Sequence, residues 1–153
     1  MTQICNLLGP SPRTERIFYV GGGSGGVSRI WAIPITGGAA TRLYSSPWTS
    51  TGGCCAVSVA VIGNDLFWID PNSGPITDTQ ILRAPKSGGG PVTAIYTGAF
   101  VGQPIVDGLG LTTDSVELFT ADAVQGRVHS LNPDGSDLTF LAPGTEGFQH
   151  RTR

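Results

Sequence analysis

The chain alternates short apolar stretches with connections rich in glycine, proline and polar residues, and the same layout recurs three times. Three ten-residue segments align without gaps, and their starts lie 51 and 47 residues apart. These segments are Arg29–Gly38, Gln80–Gly89 and Arg127–Ser136. Each one ends in a glycine-containing or polar turn and leads into a further apolar stretch. This pattern predicts a strand, a tight turn and a second strand in every repeat.

Each repeat also holds two strand candidates upstream of that hairpin. The inner candidates are Ile4–Leu8, Ala56–Val61 and Gly108–Leu111, and the next are Ile17–Gly21, Leu66–Asp70 and Leu118–Asp122. No segment shows a sustained helical period of apolar positions. Four short strands that recur every 47 to 51 residues are typical of a β-propeller blade. We therefore predict a single all-β domain of three four-stranded blades, at about 3–45, 56–96 and 107–142, with a C-terminal tail over 143–153.

The second repeat resembles a known family. Its segments Leu66–Asp70 and Ile81–Gly89 are similar to the YWTD repeat of low-density lipoprotein receptor-like six-bladed propellers, in which an aromatic-Trp-x-Asp strand precedes a hairpin ending in Gly-Gly. The resemblance spans about residues 16–142. The first repeat departs from the motif with Gly21 in place of its Asp, and the third with Thr120 in place of its Trp.

The resemblance also implies roles for individual residues. In the family the motif Asp supports the fold by bonding backbone and neighbouring-blade groups, which implies structural roles for Asp70 and Asp122. Trp68, at the motif Trp position, is expected to be structural as well. We predict no metal site at these positions, because the sequence offers no convergent carboxylate or histidine partner.

Three blades are too few to close a ring, because propellers have about four to eight blades. A chain of this kind leaves an apolar face open at each end, and exposed apolar patches of that size mark interfaces. We therefore predict half of a six-bladed propeller that is completed by a second chain, as a homodimer. Two alternatives remain at this point: an open head-to-tail polymer, and a fragment of a longer propeller.

Ligand sites in propellers lie at the mouth of the central channel, on loops between consecutive blades. Here those loops are predicted over 45–55 and 97–107, and both are long for strand connections. We expect Trp48 and Phe100 to offer aromatic platforms there, and Gln103 and Asp107 to offer hydrogen bonds. The expected ligand is a peptide, a protein or a small molecule.

Charge and cysteine content exclude several classes of function. Charged residues make up 13% of the chain, the net charge is −2, and the Lys and Arg residues form no cluster, which argues against nucleic-acid binding. No apolar run is long enough for a membrane span, and no secretory signal is visible, which leaves a cytoplasmic protein or a mature secreted form. Cys5, Cys54 and Cys55 match no disulfide framework or zinc pattern, so neither metal nor cofactor is predicted.

These observations favour a non-enzymatic binding or scaffolding propeller that self-assembles. A long β-turn is expected over Gly21–Gly26, so its Gly-x-Ser-x-Gly spacing is not the strand-to-helix elbow of hydrolases, and it does not end in the Lys-Ser/Thr of a phosphate-binding loop. The first alternative is an enzyme (a cyclase, lyase or hydrolase) with its active site at the channel of the assembled ring, since fold alone does not decide function. A structural subunit of a filament is the second alternative.

Overall fold

The computed structural model describes residues 4–5, 16–22, 27–49, 58–71, 79–97, 108–122 and 127–142. All regular secondary structure in these ranges is β-strand. The strands are β1 Ile4–Cys5, β2 Arg16–Gly22, β3 Val27–Pro34, β4 Thr41–Thr49, β5 Val59–Ile62, β6 Asp65–Pro71, β7 Thr79–Pro85, β8 Thr93–Thr97, β9 Gly108–Thr113, β10 Leu118–Asp122, β11 Arg127–Leu131 and β12 Thr139–Ala142. Within the described ranges no helix is long and apolar enough to cross a membrane.

The strands form three separate four-stranded antiparallel sheets, each with neighbours in sequence order. Sheet 1 contains β1–β4, sheet 2 contains β5–β8 and sheet 3 contains β9–β12. The predicted all-β class and the predicted three four-stranded units are confirmed. Such up-and-down order is the connectivity of a propeller blade, in which each strand pairs with the next one along the chain.

The turn between the third and fourth strands has the same geometry in all three sheets. In each case the N–H of a glycine donates to the carbonyl three residues earlier: Gly37 to Pro34 at 2.9 Å, Gly88 to Pro85 at 3.1 Å, and Gly135 to Asn132 at 2.9 Å. The three glycines have φ values of 87°, 84° and 87°. Because residues with a β-carbon rarely adopt this left-handed backbone conformation, glycine is the residue that closes the turn.

Sheet 2 lies between the other two sheets and is buried on both faces. Its strand β6 shows this directly, because Leu66 and Trp68 belong to the apolar cluster shared with sheet 1. The alternate residues Phe67 and Ile69 belong to the cluster shared with sheet 3. Since successive side chains of a strand point to opposite faces, one uninterrupted apolar run fills both cores.

Polar contacts link the same sheets across these apolar joints. The hydroxyl of Tyr44 in sheet 1 donates to the carbonyl of Pro85 in sheet 2 at 2.6 Å. The ring of Tyr44 also stacks on Trp68, with centroids 5.8 Å apart and planes inclined by 22°. On the other side, Ser58 Oγ donates to the carbonyl of Leu111 in sheet 3 at 3.0 Å. Each joint therefore combines apolar burial with a directional bond that fixes the position of one sheet on the next.

One predicted boundary is wrong. The sequence suggested that a loop begins at Ser45, but β4 continues through Trp48 to Thr49. The extension has a partner, because β3 begins at Val27 and pairs with Thr49. Backbone pairing therefore overrides the weak strand preference of the serines and proline in this segment.

Trp68 is the side chain on which the sheet 1–sheet 2 joint depends, and its side chain is 0% exposed. We expect Trp68→Ala to lower the free energy of unfolding by about 3–5 kcal/mol, since it leaves a large cavity. Its Nε1 has no hydrogen-bond partner among the described residues, so Trp68→Phe should cost less than half as much. Urea denaturation followed by circular dichroism measures both values. Equal losses for the two variants would contradict the packing role.

Candidate functional site

The candidate site consists of the two sheet faces that no other described sheet covers. We call the face of sheet 1 that points away from sheet 2 flank 1, and the face of sheet 3 that points away from sheet 2 flank 3. Alternation along the strands assigns residues to each flank. In sheet 1 the neighbouring positions lie in the buried cluster, and in sheet 3 the alternate residues Leu118, Thr120 and His129 are buried. Flank 1 carries Ile17, Tyr19, Arg29, Trp31 and Ile33, and flank 3 carries Phe119, Ala121, Val128 and Leu141.

Flank 1 is dominated by an indole that lies against the backbone of Gly21. A β-carbon at Gly21 would lie 3.0 Å from Nε1 and 3.2 Å from Cδ1 of Trp31, and 3.9 Å from the ring of Tyr19. Gly21 occupies the position at which the YWTD motif has its Asp. The departure from the motif therefore has a structural reason, because any side chain at this position would displace Trp31. The result is an aromatic surface formed by Trp31 and Tyr19.

Flank 3 is apolar and more exposed. Val128 is 37% exposed and Leu141 is 51% exposed, whereas Phe67 and Ile81, which stand in the corresponding face of sheet 2, are fully buried. The residues of flank 3 are thus of the type that packs against a further sheet inside this fold. Flank 3 exposes apolar side chains at the positions where sheet 2 has a covered core.

Each sheet carries a β-bulge at the same place in its outer strand. In sheet 1, Ile30 pairs with Tyr44 and Trp31 pairs with Arg42, which leaves one extra residue between them. The same shift occurs opposite Ile81 and Leu82 in sheet 2 and opposite Val128 and His129 in sheet 3. The three extra residues are Leu43, Ile95 and Leu141. A bulge redirects a side chain relative to regular alternation, and Leu43 and Ile95 pack against the two buried clusters.

The described stretches of the first and third sheets carry opposite charge. Residues 16–49 contain three arginines and no acidic residue, whereas residues 108–142 contain five acidic residues and one arginine. On flank 1, the Nε of Arg29 is buried and has no hydrogen-bond partner among the described residues. Sheet 1 is therefore cationic and sheet 3 is anionic.

Local hydrogen bonds keep two carboxylates of sheet 3 ionised. The pKa of Asp114 is lowered by the backbone N–H groups of Glu117 and Val116, which both donate to Oδ1 at 2.8 Å. The pKa of Asp134 is lowered by the hydroxyl of Ser136 at 2.7 Å, then by its backbone N–H at 2.9 Å. Because both carboxyls are held below the usual range, the negative charge of sheet 3 persists into mildly acidic solution.

A shallow cavity of about 340 Å³ lies at the joint between sheets 2 and 3, lined in part by Asp65, Arg83, Ile95 and Asp134. Arg83 already donates to Asp65 Oδ2, from Nε at 3.0 Å and from Nη2 at 2.6 Å. Arg83 and Asp65 are thus engaged with one another, and Asp134 accepts hydrogen bonds from Ser136. Among the described residues no group of three or more His, Cys, Asp or Glu side chains is placed to hold a metal ion.

The predicted site residues fall in different parts of the structure. Trp68 is fully buried, and Asp70 is buried at the end of β6 opposite Gln80. Asp122 is the last residue of β10 and pairs with Arg127. The structural roles of all three stay predictions.

The predicted ligand-binding residues are not brought together by any described contact. The backbone of Trp48 lies in β4, and its side chain lies outside the description. Phe100, Gln103 and Asp107 lie outside the described residues, as do Cys54 and Cys55. A binding site at the channel mouth therefore stays a prediction.

Sequence reasoning missed the bulge residues as a group. Leu43, Ile95 and Leu141 occupy the same column when the three repeats are aligned, so the signal was present. Their shared position becomes meaningful only through the register of the paired strands, because the bulge is a property of two strands together.

Neither a protein-family model nor a curated protein matches the sequence. Solved structures do match the fold. A chain of the crystal structure of a nidogen/laminin complex superimposes with a TM-score of 0.71 at 18% sequence identity, and the match covers 94% of this chain and 49% of that chain. Putative TolB from Agrobacterium tumefaciens matches with a TM-score of 0.60 at 19% identity, over 89% of this chain and 48% of that chain.

The chain spans about half the length of both structures. At these identities the likeness concerns the fold and not the activity. Together with the three four-stranded sheets in sequence order, it leads to one conclusion: the chain has a β-propeller fold, and its described residues form three blades.

Proposed function

We propose that this chain forms half of a six-bladed β-propeller, that a second copy of the same chain completes the ring, and that the ring is a protein-binding scaffold. Blade 1, blade 2 and blade 3 are built on sheets 1, 2 and 3. In a closed pair related by a two-fold axis, flank 3 of each chain covers flank 1 of the other. Both open faces are then buried at once.

One observation carries this proposal: the open flanks are made of the same residue types that are buried inside. Trp68 and Leu82 of blade 2 are covered by blade 1, and the aligned positions on flank 1 are Tyr19 and Trp31. Tyr19 and Trp31 are partly buried, and removing their remaining apolar surface from water stabilises by about 25 cal/mol per Å². A second copy offers a matching face at each end, which favours association over continued exposure.

The length of the matches supports the number of blades. A three-bladed chain that covers 49% and 48% of two propeller chains has the size of half a ring. Two copies would supply six blades, which is also the number that the YWTD resemblance implies. A closed ring leaves no open flank, whereas an open polymer leaves two, so burial favours closure.

A protein-binding role agrees with one of the matching structures, which contains nidogen and laminin as a complex. For this chain the predicted contact region is the channel mouth. The end of β4 carries Trp48, and the connection after blade 2 carries Phe100, Gln103 and Asp107. Aromatic side chains beside hydrogen-bonding groups are typical of protein-recognition surfaces. No specific observation among the described residues favours the enzyme alternative.

The mass in solution tests the ring. We expect light scattering coupled to size exclusion to give a value near twice 15.9 kDa, because each chain covers the apolar flanks of the other. Native mass spectrometry of the same sample checks the stoichiometry. A monodisperse monomer at high concentration would contradict the proposal, and an open-ended series of larger species would favour the filament alternative.

The binding role is tested with a peptide selected on the assembled protein from a random display library. We expect Trp48→Ala or Asp107→Ala to weaken its binding about tenfold, the usual effect of losing an anchor contact. Isothermal titration calorimetry gives the affinities. Val116→Ala, which alters an exposed side chain in the turn before β10, is the control. Unchanged affinity in both variants would move the binding site away from the channel mouth.

A further inference from the structure

Both internal joints of this chain repeat one contact. The hairpin-turn glycine of the following blade lies on the bulge residue of the preceding blade. At the first joint, a β-carbon on Gly88 of blade 2 would lie 3.1 Å from Cδ2 and 3.9 Å from Cα of Leu43 in blade 1. At the second joint, a β-carbon on Gly135 of blade 3 would lie 2.9 Å from the carbonyl carbon of Ile95 in blade 2.

These contacts depend on two features that the three blades share. The glycine closes the same hydrogen-bonded turn with a left-handed φ in each blade. The bulge places one extra apolar residue at the same register in each outer strand. A side chain on the glycine would enter the space of the bulge residue, so the missing β-carbon allows the two blades to approach.

The described structure leaves one member of this pairing unused at each end. Gly37 closes the β3–β4 turn of blade 1, and a β-carbon there would meet no atom of the described residues within 4 Å. Leu141 of blade 3 is the third bulge residue and is 51% exposed. Among the described residues, blade 1 therefore presents a turn glycine without a contact, and blade 3 presents a bulge residue that no turn covers.

We infer that Gly37 of one copy packs against Leu141 of a second copy and forms the same contact that joins the blades within each chain. We call this contact the latch. The inference rests on the proposed ring and states how that ring is held: blade 1 of each copy meets blade 3 of the other. Two such latches form in a closed pair, one at each seam.

Charge favours this pairing over its alternatives. Residues 16–49 of blade 1 carry three arginines without an acidic residue, and residues 108–142 of blade 3 carry five acidic residues with one arginine. Bringing blade 1 against blade 3 joins opposite charges, whereas pairing two copies of blade 1 joins like charges. Electrostatic complementarity of this kind selects the orientation of association and suppresses the wrong one.

The aromatic residues of flank 1 also favour the pairing of blade 1 with blade 3. Where the first two blades have Tyr44 and Tyr96 opposite Ile30 and Ile81, the third blade has Ala142 opposite Val128. By sequence, the third blade thus has the smaller residue, and flank 1 has the larger Trp31 at the position where blade 2 has Leu82. In the proposed ring a small residue of blade 3 would thus lie opposite a large residue of blade 1, which suits close packing at the seam.

Two substitutions test the latch from its two sides. Gly37→Asn adds a side chain at the turn while keeping a residue type that tolerates left-handed φ, and Leu141→Asp replaces the apolar bulge residue with a charge. Each should weaken dimer formation at least about tenfold, which corresponds to about 1.4 kcal/mol. Sedimentation equilibrium measures the dissociation constants, and circular dichroism checks that both variants remain folded.

Matched controls separate the latch from general damage. Gly89→Asn introduces the same residue at a glycine with φ of 74° and nothing within 4 Å of its β-carbon position. Val116→Asp introduces the same charge at a 67% exposed apolar residue of blade 3. Both controls should associate as the unmodified chain does.

Mixing the two variants tests the direction of the pairing. A mixed dimer of Gly37→Asn and Leu141→Asp chains has one seam with both changes and one seam with neither. We therefore expect an equimolar mixture to recover mixed dimers under conditions in which each variant alone is monomeric. Native mass spectrometry resolves the mixed species when one chain carries an affinity tag.

The outcomes are distinguishable. A dimeric unmodified chain whose Gly37→Asn and Leu141→Asp variants remain equally dimeric would overturn the latch and leave the ring proposal standing. An unmodified chain that stays monomeric at high concentration would overturn both. Failure of the mixture to recover dimers would overturn the pairing of blade 1 with blade 3. Larger open species that either variant abolishes would support the latch and overturn the closed ring.

Salt dependence tests the charge component. Because the Debye length falls from about 10 Å at 0.1 M to about 3 Å at 1 M, we expect the association rate to fall several-fold as NaCl rises over this range. Arg42→Glu, on the cationic blade and opposite Trp31 in the register, should reduce that dependence. Stopped-flow mixing of fluorescently labelled chains gives the rates. An association rate that is independent of salt in the unmodified chain would contradict the charge argument.

Discussion

The whole structure depends on one constraint: each sheet has two apolar faces, and only another sheet covers a face of that size. Blade 2 satisfies the constraint completely, because Leu66 and Trp68 are buried against blade 1 while Phe67 and Ile69 are buried against blade 3. The hydrophobic effect is the dominant favourable term in folding and in most association between proteins. Blade 2 is covered on both faces. Blades 1 and 3 are each covered on the face towards blade 2, and no other described sheet covers their second face.

Directional contacts then fix how one blade sits on the next. The hydroxyl of Tyr44 reaches the carbonyl of Pro85, and the turn glycines Gly88 and Gly135 rest on Leu43 and Ile95. Apolar burial alone tolerates sliding of one sheet over another, because it has no preferred direction. A turn without a β-carbon that fits a bulge residue has one preferred position. Both joints therefore use the same contact between a turn glycine and a bulge residue. In the proposed ring, the second copy would form this contact again at each seam.

The departures from the motif that the second repeat resembles occur in blades 1 and 3 and have physical consequences there. Gly21 replaces the motif Asp and gives Trp31 its place on flank 1. Thr120 replaces the motif Trp in blade 3 and is buried with an Oγ1 that has no hydrogen-bond partner among the described residues. The end blades thus differ from blade 2 in both polarity and volume. In a ring of two chains, such differences specify which blades meet at the seam.

The sequence by itself determined the class of the fold and the location of its strands. Runs such as Leu66–Asp70 and the hairpin around Gly88 carry local signals, since strand preference and turn chemistry act over a few residues. It did not determine that β4 runs on to Thr49, because that extension exists through its pairing with Val27. Nor did it determine that Leu141 and Gly37 form an unmatched pair. Only the tertiary structure decided this, because the register of paired strands and the approach of neighbouring sheets depend on residues far apart in the chain.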